Sequence, residues 1–111
     1  MSKTSPTQRS LKLCRDRGWT AQVVERRVPF NNTTIDLFGF IDIVALDGAH
    51  TIGIQTTSGG NVSARIKKIL AEPRHKLWLE AGNEIHVHGW RKVKPRGTKA
   101  ARWKVREEIV G

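Results

Sequence analysis

The chain has 111 residues, room for one domain around one modest core, and its apolar fraction of 38% suits a small sheet covered by helices. A formal charge of +10 and an isoelectric point near 10.7 make the protein self-repelling, which points to an anionic partner. The single cysteine, Cys14, excludes an internal disulfide and a cysteine-rich zinc site, and no stretch approaches the roughly 20 apolar residues of a membrane span. No signal-peptide pattern opens the sequence, so Cys14 reads as a reduced cytosolic thiol.

Ser5-Pro6-Thr7 opens a helix that runs to about Arg17, with Ser5 as N-cap, Pro6 as first helical residue and Gly18 as stop. Leu11, Leu13 and Cys14 form its apolar stripe, and Gln8 in its first turn reads as a solvated polar residue. Trp19–Val28, rich in Val, reads as a first strand ended by Pro29-Phe30-Asn31-Asn32. Its only acid, Glu25, reads as a surface partner for Arg26 or Arg27. Two further strands follow, about Phe38–Leu46 and Thr51–Thr57. They join at Asp47-Gly48, where Asp tolerates left-handed dihedrals and Gly adopts them freely.

Asp42 stands between Ile41 and Ile43 in the first of these strands. A carboxylate buried there costs several kcal/mol unless it is paired, hydrogen-bonded or bound to a metal. On the partner strand Gln55 and Thr57 share a face, so an acid and two polar groups meet as a candidate cation site. Asp36 has the strand parity of Asp42 but lies roughly 20 Å away along a regular strand. It reaches the same ion only if Gly39 marks a bulge or bend; otherwise it caps the strand entry or pairs with an arginine.

Ser58-Gly59-Gly60-Asn61 leads into a helix, about Val62–Ala71, whose Val62, Ile66, Ile69 and Leu70 follow the helical period and face the sheet. Arg65 flanks that stripe, while Lys67 and Lys68 point further out as a solvated face. The glycine pair could hold a phosphate on its N–H groups, although it matches no P-loop pattern. Glu72-Pro73 restarts a short helix carrying Leu77, Trp78 and Leu79, and Gly82 ends it. Glu84–Val93 is a strand with Ile85 and Val87 on one face and His86, His88 and Trp90 on the other. Two histidines with no evident third ligand read as a solvated or DNA-facing surface rather than a zinc site. From Arg91 to Arg106 there are eight basic residues and no acid. Arg91, Lys92, Lys94, Arg96, Lys99, Arg102 and Lys104 are thus candidate phosphate contacts on a basic hairpin or arm at about 91–106. A last strand near Trp103–Val110 closes it.

Gly39-Phe40-Ile41-Asp42, the hairpin turn, and Ile54-Gln55-Thr56-Thr57 followed by a helix resemble the PD-(D/E)XK nuclease superfamily. The likeness is to its small phage-type and Holliday-junction-resolvase-like members and covers most of the chain. It implies an α/β, restriction-endonuclease-like core, a mixed β-sheet flanked by helices in the order αβββααβ plus a C-terminal strand, as a single domain over 1–111. It also implies a DNA endonuclease dependent on Mg²⁺ or Mn²⁺. Asp42 would be the principal metal ligand, Gln55 the second contact and the Thr56 carbonyl a third, with Asp36 beside them if the chain bends. Where the family has Glu-x-Lys, this chain has Gln55-Thr56-Thr57, so Thr57 takes the lysine position without its ammonium. Arg65, and after it Lys68, are the cations placed to stand in.

The partner implied is DNA, whether duplex, branched or single-stranded, in the cytoplasm (of the host, for a phage protein). Duplex DNA has two strands and so short a chain one active site, so a homodimer is expected. Two alternatives stay open on the same residues. One is a nuclease-fold protein whose chemistry is weakened or lost. The other is a plain basic nucleic-acid-binding module in which Asp42 is only hydrogen-bonded.

Overall fold

The computed structural model describes residues 4–31, 33–94, 96–97 and 101–111. The first helix, α1 (Pro6–Asp16), forms for the reasons its sequence suggests. The Ser5 hydroxyl accepts the Gln8 amide, Pro6 takes the first position, and Gly18 at φ 82° turns the chain away. In chain order there follow β1 (Thr20–Val23), β2 (Arg26–Val28), β3 (Thr33–Ile35), β4 (Ile43–Leu46) and β5 (Thr51–Ser58). A 3₁₀ turn (Gly59–Asn61) then leads to α2 (Val62–Ala71), α3 (Arg74–Glu80), β6 (Glu84–Val93) and β7 (Arg102–Val110).

Five strands form one mixed sheet in the order β1-β4-β5-β6-β7. β5 and β6 run parallel, as a crossover through α2 and α3 demands, and the other pairs are antiparallel. Because side chains alternate across a strand, each face has its own core. Leu11 and Cys14 of α1 cover Ala21, Ile43, Ala45, Ile52 and Ile54. Val62 and Ile69 of α2 cover Ile85, Val87 and Val110 on the other side, with Phe40 and Ile41. Leu70, expected to face the sheet, is 52% exposed, because it lies at the margin of the helical stripe that Val62 and Ile69 define.

Two predicted strands are shorter than their sequences suggest. Trp19–Val28 breaks after Val23, where the N–H groups of Val24 and Glu25 turn to the Asp42 carbonyl at 2.8 and 3.3 Å. β2 then leaves the sheet and pairs with β3 as a separate ribbon, Arg26 opposite Ile35 and Val28 opposite Thr33. The run Phe38–Leu46 becomes a strand only at Ile43. Leu37 and Ile41 exchange both backbone hydrogen bonds, at 2.9 and 3.0 Å, around a tight turn in which Phe38 (φ 55°) and Gly39 (φ 81°) are left-handed. Phe40 and Ile41 are buried by that turn rather than by strand pairing, and an apolar run alone does not distinguish the two.

His86 and His88 are not solvated or DNA-facing, contrary to the sequence reading, because α1 lies over their face of the sheet. His88 is fully buried, with Nδ1 2.8 Å from the Ser10 hydroxyl, which also accepts the Trp90 indole N–H at 2.8 Å. Its Nε2 lies 3.4 Å from Glu107, a carboxylate gripped at both oxygens by Arg17. Burial pushes the His88 imidazole down to about 4.

Gly89 marks where the start of α2 lies tightest on the sheet. A Cβ there would run into Val62 Cγ2 and lie 3.2 Å from Gly59 Cα. Gly89→Ala is therefore expected to lower stability by about 1–3 kcal/mol in urea unfolding. A neutral substitution would show that the two segments are not in close contact.

Candidate metal centre and cleft

The β4–β5 register, Ile43 opposite Ile54, carries Asp42 one step further to lie opposite Gln55, and the Asp42 N–H bonds the Ile54 carbonyl at 2.9 Å. Asp42 is 3% exposed. One of its oxygens, Oδ2, accepts the Gln55 side-chain amide and the Thr56 N–H, both at 2.8 Å, and the Thr56 hydroxyl at 3.1 Å. With that proton committed to Asp42, Thr56 Oγ1 is left to accept the Thr7 hydroxyl at 2.8 Å. Thr56 thus holds Asp42 through its amide and hydroxyl.

The left-handed turn at Phe38-Gly39 does what a straight strand forbids and folds Asp36 back beside Asp42. Glu25 arrives from the other side, drawn in by the bond from its N–H to the Asp42 carbonyl. Carboxylate oxygens of Glu25, Asp36 and Asp42 come within 4.8 Å of one another. Glu25 is therefore part of an acidic cluster and not only a surface partner for its neighbouring arginines. Its one sequence signal was being the sole acid of the first strand. The Gln55 amide nitrogen also lies 3.4 Å from Asp36, and Lys68 Nζ 3.9 Å from it.

Electrostatically the cluster is under load. Burial above all, and then the neighbouring Asp36, push the Asp42 carboxyl up to about 8, against the pull of the Thr56 amide. Gln55 Oε1 is buried with no hydrogen-bond partner among the described residues. The acids sit in a cleft of about 480 Å³, walled also by Thr7, Thr34, Thr57, Asn61, Arg65 and Lys68. Arg65 and Lys68 both line it, Lys68 from an exposed position with half its side chain accessible, while Lys67 is exposed outside. Thr57 is buried in the wall at 5% exposure, and Gln8 points to solvent with Thr7 in its stead. Arg91, Lys92, Lys94, Arg96, Arg102 and Lys104 are exposed along and beyond the β6–β7 ribbon, and Lys99 lies outside the described residues.

These groups set the pH response of the metal-free protein. Asp42 binds its proton more tightly folded than unfolded, so its contribution is complete below its ordinary value of 3.8 and fades as pH rises through about 8. His88 works the other way, contributing fully above 6.5 and less as pH falls towards about 4. The melting temperature in EDTA should therefore stay roughly level between about pH 4 and 6.5, where the two trends offset each other, and decline towards 8, and a divalent cation should lift the alkaline limb. Melts in EDTA that only improve from pH 5 to 8 would contradict this balance.

No protein-family model and no curated protein sequence matches the chain. Among solved structures it is similar to Hjc, a Holliday junction resolvase from the archaeal hyperthermophile Archaeoglobus fulgidus. The identity is 17%, the match covers 92% of this chain and 75% of that one, and the TM-score is 0.51. The five-stranded mixed sheet with helices on both faces is a restriction-endonuclease-like fold.

Proposed function

We propose that the protein is a divalent-metal-dependent DNA endonuclease of the PD-(D/E)XK type. The observation that carries this reading is the convergence of Glu25, Asp36 and Asp42 within 4.8 Å beside Gln55 Oε1, which has no hydrogen-bond partner among the described residues. Carboxylates held this close repel one another, and a cation offsets that repulsion. The donors are all hard oxygens, which suit Mg²⁺ or Mn²⁺ and not metals that prefer thiolate or imidazole. Gln55 fits as well. Its amide nitrogen bridges Asp42 and Asp36, and a half-turn of the amide would place Oε1 in the same volume as a further oxygen for an ion held between them. Such an ion supplies charge neutralisation on a phosphoryl oxygen and a more acidic water.

The chain's own residues do the rest. Thr7 and Thr56 fix the orientation of Asp42 through linked hydrogen bonds. Lys68 and Arg65 bring positive charge to the wall where charge would develop on the phosphate, replacing the ammonium that Thr57 lacks. Because the neighbour of like fold is named a Holliday junction resolvase, branched DNA is the first substrate class to test. A two-fold homodimer would present a cleft to each of two strands.

A second reading, DNA binding without cleavage, is favoured by Thr57 itself, a buried hydroxyl at the family's lysine position. Incubation with supercoiled, linear, branched and single-stranded DNA in Mg²⁺, Mn²⁺ or EDTA separates the two. Metal-dependent strand breaks support the nuclease, and binding with no breaks in any metal supports the second reading.

A further inference from the structure

Beside the acidic cleft lies another of opposite character. It encloses about 510 Å³ between Gly59 and Gly60 and the ribbon residues Gly89, Arg91, Lys104, Val105 and Arg106. The two clefts share one partition, the segment from Ser58 to Asn61. Ser58 and Asn61 line the acidic side, and the glycines between them line the basic side.

Strand register explains how the cations gather. Across β6 and β7, Gly89 pairs with Arg106 and Arg91 with Lys104, so all three cations project from one face of the ribbon. Arg91 and Lys104 are then like charges directly opposite each other, an arrangement that destabilises a sheet unless an anion lies between them. Neither has a carboxylate partner among the described residues; only Arg106 does, bonding Glu108 at 2.9 Å. Opposite them the wall is bare backbone. Gly59 packs closely on the Arg91 stem, where a Cβ would lie 3.1 Å from Arg91 Cβ, and a Cβ on Gly60 would meet nothing within 4 Å. No aromatic ring or carboxylate lines it, so it suits a phosphate and offers nothing on which to stack a base.

We infer that this cleft is a phosphate subsite for the DNA strand, holding a phosphodiester near the one presented to the acids. The inference rests on the DNA reading above and adds a path: a strand crossing the Ser58–Asn61 partition passes from the acids to the cations. A phosphate held on the basic side sets the register of the one on the acidic side. The glycine backbone and three cations read no sequence.

Adjacent residues provide the test. Arg91 and Lys92 carry the same charge on opposite faces, since Lys92 pairs with Trp103, which is stacked under Arg9 of α1. Binding of a short DNA duplex and a single strand is measured by fluorescence anisotropy in EDTA across a salt series. The double variant Arg91→Gln, Lys104→Gln should weaken binding about tenfold near 0.1 M salt and lower the salt slope by about one to two. Lys92→Gln, on the opposite face, should lower affinity by about twofold, clearly less than Arg91→Gln does. Equal losses from Arg91→Gln and Lys92→Gln would overturn the subsite in favour of diffuse attraction. Inorganic phosphate that raises the melting temperature through Arg91 and Lys104, with DNA affinity unchanged in the double variant, would make this a free-phosphate site and overturn it too. Tighter binding of a matched RNA strand through the same residues would do likewise. The assay contains no metal, so the two readings fail separately. Face-specific loss without any cleavage keeps the subsite and removes the nuclease, and cleavage without face-specific loss does the reverse.

Discussion

Asp42→Asn is expected to lower metal-dependent cleavage by about a thousandfold or more while leaving the fold intact. The asparagine oxygen can still accept the Thr56 amide, the Thr56 hydroxyl and the Gln55 side chain. Its new N–H₂ group would face the other acids and donate to one of them, where two carboxylates had repelled. Asp42 has no basic partner among the described residues, so the substitution strands no buried cation. In EDTA near pH 8 the variant should melt at or above the parent's temperature, and the decline in stability between about pH 6.5 and 8 should flatten. Asp42→Ala behaves differently. It leaves the buried donors of Gln55 and Thr56 unpaired and should cost about 2–4 kcal/mol. Paired melting and cleavage assays check both variants. An Asp42→Asn protein that cuts at the parent's rate would end the case for this carboxylate.

DNA affinity should fall by about three decades or more over a tenfold rise in salt, with little dependence on sequence. The two acids of β7 are already engaged, Glu107 by Arg17 and Glu108 by Arg106, and leave the other exposed cations of the β6–β7 ribbon without a carboxylate partner among the described residues. The positive charge is therefore available to phosphates, and about five contacts suffice for a slope this steep. The sequence carries no reading-helix motif, which keeps specificity low. Titration of labelled duplexes of unrelated sequence measures both features. An affinity indifferent to salt would refute the electrostatic picture.

What the sequence revealed follows local rules. Caps at Ser5 and Gly18 bound α1, and the Asp47-Gly48 turn sets the register that places Asp42 against Gln55. What it hid depends on contacts between distant segments or on rare dihedrals. Asp36 meets Asp42 only because Phe38, an unusual residue for φ 55°, starts a left-handed turn inside an apolar run that reads as a strand. Glu25 joins them through a backbone bond to Asp42, which no side-chain pattern announces. The face of β6 bearing His86 and His88 looked solvated because it is polar. His88 is met at Nδ1 by Ser10, 78 positions away, while its Nε2 lies 3.4 Å from Glu107 on the neighbouring strand without a hydrogen bond among the described residues. Lys68 is solvated as its phase suggests, but helical phase alone does not show that it also borders the cleft 3.9 Å from Asp36.

Calorimetric titration with Mn²⁺ near pH 7, in buffers of different ionisation enthalpy, tests most directly whether these acids form a metal site. With Asp42 pushed up to about 8, its carboxyl is mostly protonated at that pH, so binding must release a proton. The expected result is about one ion per chain with close to one proton released, and loss of both in Asp42→Asn. Absence of saturable binding with or without DNA, or binding that Asp42→Asn leaves unchanged, would contradict it.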